Sequence, residues 1–157
     1  IMGRRMFLYH CEKAQKVSNT ELKQTGWFLF VDVDYFKEIN DTFGHGVGDK
    51  VLREIAMNLH NILGDEGKVG RIGGDEFAVI VEKTMEQQEL KCRLEQFLNA
   101  ISGTLPDKKV SCSIGAYQFV FPQNVKDLLT ETDNMLYKAK ENGRACYMMK
   151  ACEIDKT

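Results

Sequence analysis

The sequence predicts an α+β domain: an antiparallel-rich sheet in βαββαβ order with helices packed on one face. Three observations carry this. "WFLFVDV", Trp27 to Val33, is a near-continuous apolar run entered through Gly26, the pattern of a central strand buried on both faces. "KVGRI" and "EFAVIVEK" flank a double glycine, so two short strands meet there at a hairpin. Around these strands, apolar residues recur at helical spacing in several separate segments.

The elements follow in order. Arg4 to about Ser18 forms a helix with Met6, Phe7, Cys11 and Ala14 loosely on one side. After the Trp27–Val33 strand, a short helical segment spans Phe36 to Thr42. "HGVGDKVLREIAMNLHNILG" places Val51, Leu52, Ile55, Ala56, Leu59, Ile62 and Leu63 on a helix that stops at Gly64. The hairpin comes next. Leu90, Leu94, Phe97, Leu98 and Ile101 mark another amphipathic helix, and "KVSCSIGAYQFVF" reads as a strand. Val125, Leu128, Leu129, Met135, Leu136 and Ala139 mark the last long helix, and "ACYMM" closes as a strand. Pro106 and Pro122, the only prolines, sit in connections.

At 157 residues the chain fits one domain with a substantial core. A net charge of -2 supplies no global basic field, which argues against a nucleic-acid polymer or an anionic membrane as partner; a small anionic ligand needs only a few local cations. Five scattered cysteines without a CxxC pair read as reduced core thiols of a cytoplasmic domain. No apolar run approaches the ~20 residues of a membrane span. The chain starts at Ile1 rather than Met, which reads as a piece of something longer, so any sensory segment or membrane anchor is expected upstream.

Three clusters carry chemistry. In the hairpin, Gly73-Gly74-Asp75-Glu76 admits two readings: a tight turn with solvated acids, or glycines that let a phosphate or metal approach while the acids bind the ion. The hairpin alone does not decide. In "DVDYFKEIN", Asp32 and Asp34 lie at the carboxyl end of the apolar strand, either on one side by alternation or split where the strand ends. In a βαββαβ sheet the first strand lies centrally beside a hairpin strand, which would bring Asp32 within reach of Asp75. Two converging carboxylates repel, and a divalent metal removes the conflict. Oxygen-only ligands favour Mg²⁺ or Mn²⁺ over zinc. The third cluster is "KAKENGRA", where Lys140 and Arg144 are spaced i, i+4 on one face of a helix end. They serve either as cations complementing the dipole of a turn capped by Gly143, or as a triphosphate clamp. Asn40 and Asp49 fit helix caps, or a guanine reader whose carboxylate accepts from N1–H and N2–H₂, a donor pair adenine lacks. His45 reads as a structural hydrogen-bonder rather than a metal ligand.

"DVDYFKEINDTFGHGVGDKVL", "GRIGGDEFAVI", "SCSIGAYQF" and "TDNMLYKAKENGRA" together resemble the GGDEF family of diguanylate cyclases, in order and over essentially the whole chain. "IMGRRMF" is similar to the family's leading L-x-N-R-R-x-F, with Gly3 where the family has Asn. The resemblance implies a palm-like fold related to nucleotidyl cyclases and a single catalytic domain over residues 1–157. It further implies condensation of two GTP into cyclic di-GMP by a dimer of domains. By motif position it makes Asp32, Asp75 and the Val33 carbonyl metal ligands, and gives the phosphates to the amides of Phe36 and Lys37 with Lys140 and Arg144. Gly74 would sit against the substrate, Asn40 and Asp49 would read guanine, and Glu76 would accept a proton or hold a second metal. Many members carry an RxxD product-inhibition site; its positions here are Gly64 and Gly67, so no such inhibition is expected. The alternative function is a catalytically silent GTP-binding or dimerisation module, disfavoured by the intact acids. A cyclase with an adenine product is disfavoured by Asp49.

Overall fold

The computed structural model describes residues 1–17 and 24–152. A nine-residue strand, β2 (Thr25–Val33), is buried throughout its length. It lies between β4 (Glu76–Val81) and β5 (Cys112–Val120), antiparallel to both. β3 (Gly67–Arg71) pairs with β4 through the expected hairpin, and β6 (Tyr147–Lys150) joins β5 in parallel. An additional two-residue strand, β1 (Met2–Gly3), pairs in parallel with β3 and completes a six-stranded sheet of order β1-β3-β4-β2-β5-β6. The α+β class and the central first strand are as expected; β1 is too short to leave a pattern in sequence.

The helices are α1 (Arg4–Val17), α2 (Phe36–Phe43), α3 (His45–Leu63), α4 (Gln87–Ser102) and α5 (Val125–Glu141). Ser18, the expected end of the first helix, lies outside the described residues. The expectation that helices cover one face is corrected: they cover both. Trp27, Leu29, Val31 and Val33 pack with Ile39 of α2 and the apolar stripes of α3 and α4. Phe28 and Phe30 pack on the other face with Phe7 and Cys11 of α1 and Leu128 and Leu136 of α5. An unbroken apolar run on β2 requires this, because a strand with one wet face would alternate. The buried Trp27 indole donates to the Met85 carbonyl (2.8 Å), so its N–H is paired.

α5 sits unusually close to the sheet. A Cβ built on Gly115 of β5 would lie 2.2 Å from the Leu136 amide nitrogen, so only glycine permits this backbone-to-backbone seat. The thiols are less uniformly internal than expected. All five are free, but only Cys11 and Cys112 are buried, while Cys92 is exposed on α4. Burial pushes the Cys11 thiol up to about 12, so it stays protonated and behaves as a small apolar side chain. Among the described residues, no helix is long and apolar enough to cross a membrane.

Candidate functional site

The site grows from the end of β2. Alternation carries Phe28, Phe30 and Asp32 to the α1/α5 face; Asp34 lies one residue past β2, but it accepts from Ser113, which stands opposite Asp32, so its carboxylate turns to the same side. The open question in the sequence is thereby answered: the two aspartates share a face. Asp32 stands opposite Glu76 in the β2–β4 register, and the Val33 amide donates to the Asp75 carbonyl (3.1 Å), locking the strand end to the hairpin. As a result, carboxylate oxygens of Asp32, Asp75 and Glu76 lie within 4.8 Å of one another.

Such a cluster carries an electrostatic cost. Burial pushes the Asp32 carboxyl above its ordinary range; a hydrogen bond from Lys140 opposes the rise, and the charges of Asp75 and Asp34 add to it. Burial also raises Glu76, reinforced by the charges of Asp32 and Asp75. One oxygen, Asp32 Oδ1, is buried with no hydrogen-bond donor among the described residues. Buried oxygens are rarely left so, since each costs about 1–3 kcal/mol. An all-oxygen cluster with an unpaired buried carboxylate oxygen fits a hard divalent cation.

The hairpin glycines do something other than turn. Neither Gly73 nor Gly74 adopts the left-handed backbone that the tight-turn reading required. At Gly74 a Cβ would meet nothing within 4 Å, so the space beside it is open and no clash requires glycine there. Arg71 holds the loop, donating to the carbonyls of Gly73 (3.2 Å) and Gly74 (2.6 Å). Its part in shaping the site was missed in the sequence, where it reads as an ordinary strand-end charge.

Lys140 and Arg144 both reach the aspartates, but not as two residues on one helical face. α5 ends at Glu141, and Gly143 (φ 102°) follows the cap. Bonds from Gly143 N to the Lys140 carbonyl (3.3 Å) and from Arg144 N to the Ala139 carbonyl (3.1 Å) form a Schellman closure. The chain therefore leaves the helix before Arg144. Lys140 pairs with Asp32, while Arg144 lies 3.9 Å from Asp34 and 5.0 Å from the Tyr35 ring centre. The capping and clamp readings of this segment are compatible, because the cap is what delivers Arg144.

α2 begins after Tyr35, which takes φ 54°, and no side chain caps it. The first amides, those of Phe36 and Lys37, thus lack an intrahelical acceptor and carry the positive end of the dipole. Asn40 and Asp49 are not helix caps, contrary to one of their two readings: Asn40 lies inside α2 and Asp49 inside α3, whose N-cap is Gly44. Gly48 joins them, since a Cβ there would fall 1.8 Å from Asn40 Oδ1. Asp49 lines an open groove of about 540 Å³ with Leu52, Arg71 and Phe77. His45 opens α3 and is exposed.

The domain is thus an α+β fold on a six-stranded mixed sheet, with acids gathered at the end of β2 and cations supplied by α5 and the turn beyond it. The chain belongs to the family described as diguanylate cyclase, GGDEF domain, which matches residues 1–146. It is 33% identical over 141 residues to the diguanylate cyclase DgcS of Shewanella oneidensis, covering 88% of this chain and 47% of that protein. It is 35% identical over 141 residues to the probable diguanylate cyclase DgcF of Escherichia coli, covering 83% of this chain and 45% of the relative. The chain thus spans less than half the length of these relatives. The active GGEEF domain of a diguanylate cyclase from Vibrio cholerae superposes with a TM-score of 0.84 at 26% identity, covering 97% of this chain and 99% of that one.

Proposed function

We propose that residues 1–157 form a single catalytic domain that condenses two GTP into cyclic di-GMP, releasing two pyrophosphates. The observation that carries this reading is the convergence of Asp32, Asp75 and Glu76 around an unpaired buried oxygen, flanked by Lys140 and Arg144. Asp32, Asp75 and the Val33 carbonyl would hold Mg²⁺, or Mn²⁺. That ion, when bound, neutralises phosphate charge and lowers the pKa of the attacking hydroxyl.

The chain's own residues do the rest. Phe36 and Lys37 amides, with Lys140 and Arg144, bind the terminal phosphates and leave Pα facing the acids. Gly74 keeps the backbone low enough for the nucleotide to pass. Asn40 and Asp49 accept and donate along the guanine edge. Each 3′-oxygen forms a bond to Pα of the other GTP, the bond from Pα to the pyrophosphate oxygen breaks, and Glu76 accepts the hydroxyl proton. A carboxylate with a raised pKa is better suited to that step than an ordinary one.

Each domain holds one GTP, so both bonds require two copies facing one another across a two-fold axis. Control by an upstream sensory segment would act on that pairing, from the cytoplasm or its membrane surface. Product inhibition through an RxxD site is absent from this proposal because Gly64 and Gly67 stand at its positions. Gly67 is also closely packed, a Cβ there falling 2.0 Å from the Ile80 carbonyl oxygen.

The test is to fuse the domain to a constitutive dimeriser and supply GTP with Mg²⁺. Cyclic di-GMP is the expected product. An intact dimer that binds GTP and makes none would defeat the proposal in favour of a silent module.

A further inference from the structure

We propose that Asp34 is a positioning residue that fastens the turn after α5 to the turn before α2, presenting Arg144 and the first amides of α2 as one unit. The proposal rests on the phosphate-binding reading of those groups. Asp34 is only 3% exposed. Its Oδ1 accepts from the Ser113 hydroxyl (2.6 Å), and its Oδ2 accepts from the Ser111 hydroxyl (2.7 Å) and the Ala145 amide (2.9 Å). Its own amide donates to the Ser111 carbonyl (2.9 Å). Both oxygens of this carboxylate are thus engaged within the protein. Asp34 itself sits in the turn before α2, and its bond to Ala145 reaches the turn after α5, so it links the two turns that carry the phosphate groups' partners.

Backbone strain makes the same point independently. Among the described residues, the non-glycine positions with positive φ are Tyr35 (54°), Arg144 (65°) and Ala145 (50°). All three adjoin Asp34: Tyr35 follows it, the Ala145 amide bonds to it, and the Arg144 guanidinium lies 3.9 Å from Oδ1 and stacks on Tyr35. Side-chain-bearing residues enter the left-handed region only where surrounding contacts over-determine them. Here they are the Schellman bond at Arg144 and the Asp34 bond at Ala145. Without the Ala145 bond, the Arg144–Ala145 pair has every reason to relax out of this conformation and take the guanidinium with it.

The experiment uses Asp34→Ala, which removes the acceptor of the Ala145 amide. In nucleotide-free protein, hydrogen exchange at the Ala145 amide should accelerate at least ~10-fold; unchanged exchange would overturn the clamp while leaving the phosphate reading intact. GTP binding with Mg²⁺, measured by calorimetry, should weaken about 10-fold in Asp34→Ala and about as much in Arg144→Ala. In the double variant the two losses should not multiply, because one acts through the other. Fully multiplicative losses would show that Asp34 does not position Arg144. Wild-type GTP affinity in Arg144→Ala would overturn the phosphate reading, and with it the positioning role, even if exchange accelerates. Should Asp34→Ala fail to fold, Ser111→Ala removes one donor to the same oxygen, and the same outcomes apply on a smaller scale.

Discussion

Asp32, at the end of β2, and Asp34, just past it, point to the same side, and their surroundings treat them oppositely. Asp34 is saturated: two hydroxyls and a backbone amide donate to it, and its neighbours are bent to reach it. Asp32 is left short, with one oxygen unpaired, two further acids nearby and Lys140 as its principal relief. Folding alone favours the first arrangement and opposes the second. A residue kept in an unfavourable setting points to use by a ligand, whereas one kept in a favourable setting points to holding the framework.

Four substitutions put this contrast at risk. The largest effect is expected from Asp75→Asn, which removes an acid of the cluster: cyclic di-GMP production should fall by about 10³-fold or more, an activation loss of ~4 kcal/mol. Its thermal midpoint should stay level or rise, and retained turnover would show that Asp75 is misassigned. Asp34→Ala should behave in reverse, leaving three donors unpaired and costing about 3 kcal/mol of stability in denaturant titrations. If Asp34→Ala is as stable as wild type, the saturated carboxylate is not a framework element.

Gly48→Ala tests a third region, where helix propensity alone favours alanine by about 1 kcal/mol. The clash with Asn40 Oδ1 should nevertheless displace that side chain and weaken GTP affinity about 10-fold, with little change for the triphosphate moiety alone. Equal weakening for both ligands would remove Asn40 from base recognition. The smallest effect is expected from Glu76→Gln, which removes a charge that burial and the neighbouring acids oppose. In metal-free protein the variant's Tm at neutral pH should rise by about 2–4 °C, the shift that ~1 kcal/mol produces in a domain of this size. The sign follows from a raised folded-state pKa. The protonated carboxyl contributes its stability fully below the unfolded pKa and loses it as pH rises through the folded one. The gap between variant and wild type should therefore close as the pH falls and Glu76 becomes neutral. A gap that widens in acid would reverse the electrostatic account.

Much of this was legible in the sequence because it depends on local pattern. The apolar run of β2, the hairpin glycines and the helical stripes are periodicities within single segments, and the acids sit at their ends. The meeting of Asp32 with Asp75 and Glu76 follows once a central first strand is placed beside the hairpin. The rest depends on contacts across the chain. Ser111 and Ser113 are ordinary strand residues until they face Asp34, and Arg71 looks like a solvated charge until its hairpin carbonyls are in place. The spacing of Lys140 and Arg144 suggested one helical face, but the Schellman closure ends the helix between them, so helical spacing no longer describes the second residue. Helices on both faces were implied by the unbroken apolar run of β2, whose two-sided burial was at odds with one-sided packing.

Gly115 makes a final point about tolerance. The seat of α5 on the sheet, at Leu136, lies four residues before Lys140, about 6 Å along the axis. It therefore acts as a fulcrum set close to the load. A methyl group added at 115 would lever the helix away from β5, carrying Lys140 and the turn beyond it out of reach of the aspartates, with no charged residue altered. The calibration of an electrostatic site thus rests on one hydrogen atom in the middle of a sheet, where a search confined to polar residues would not look.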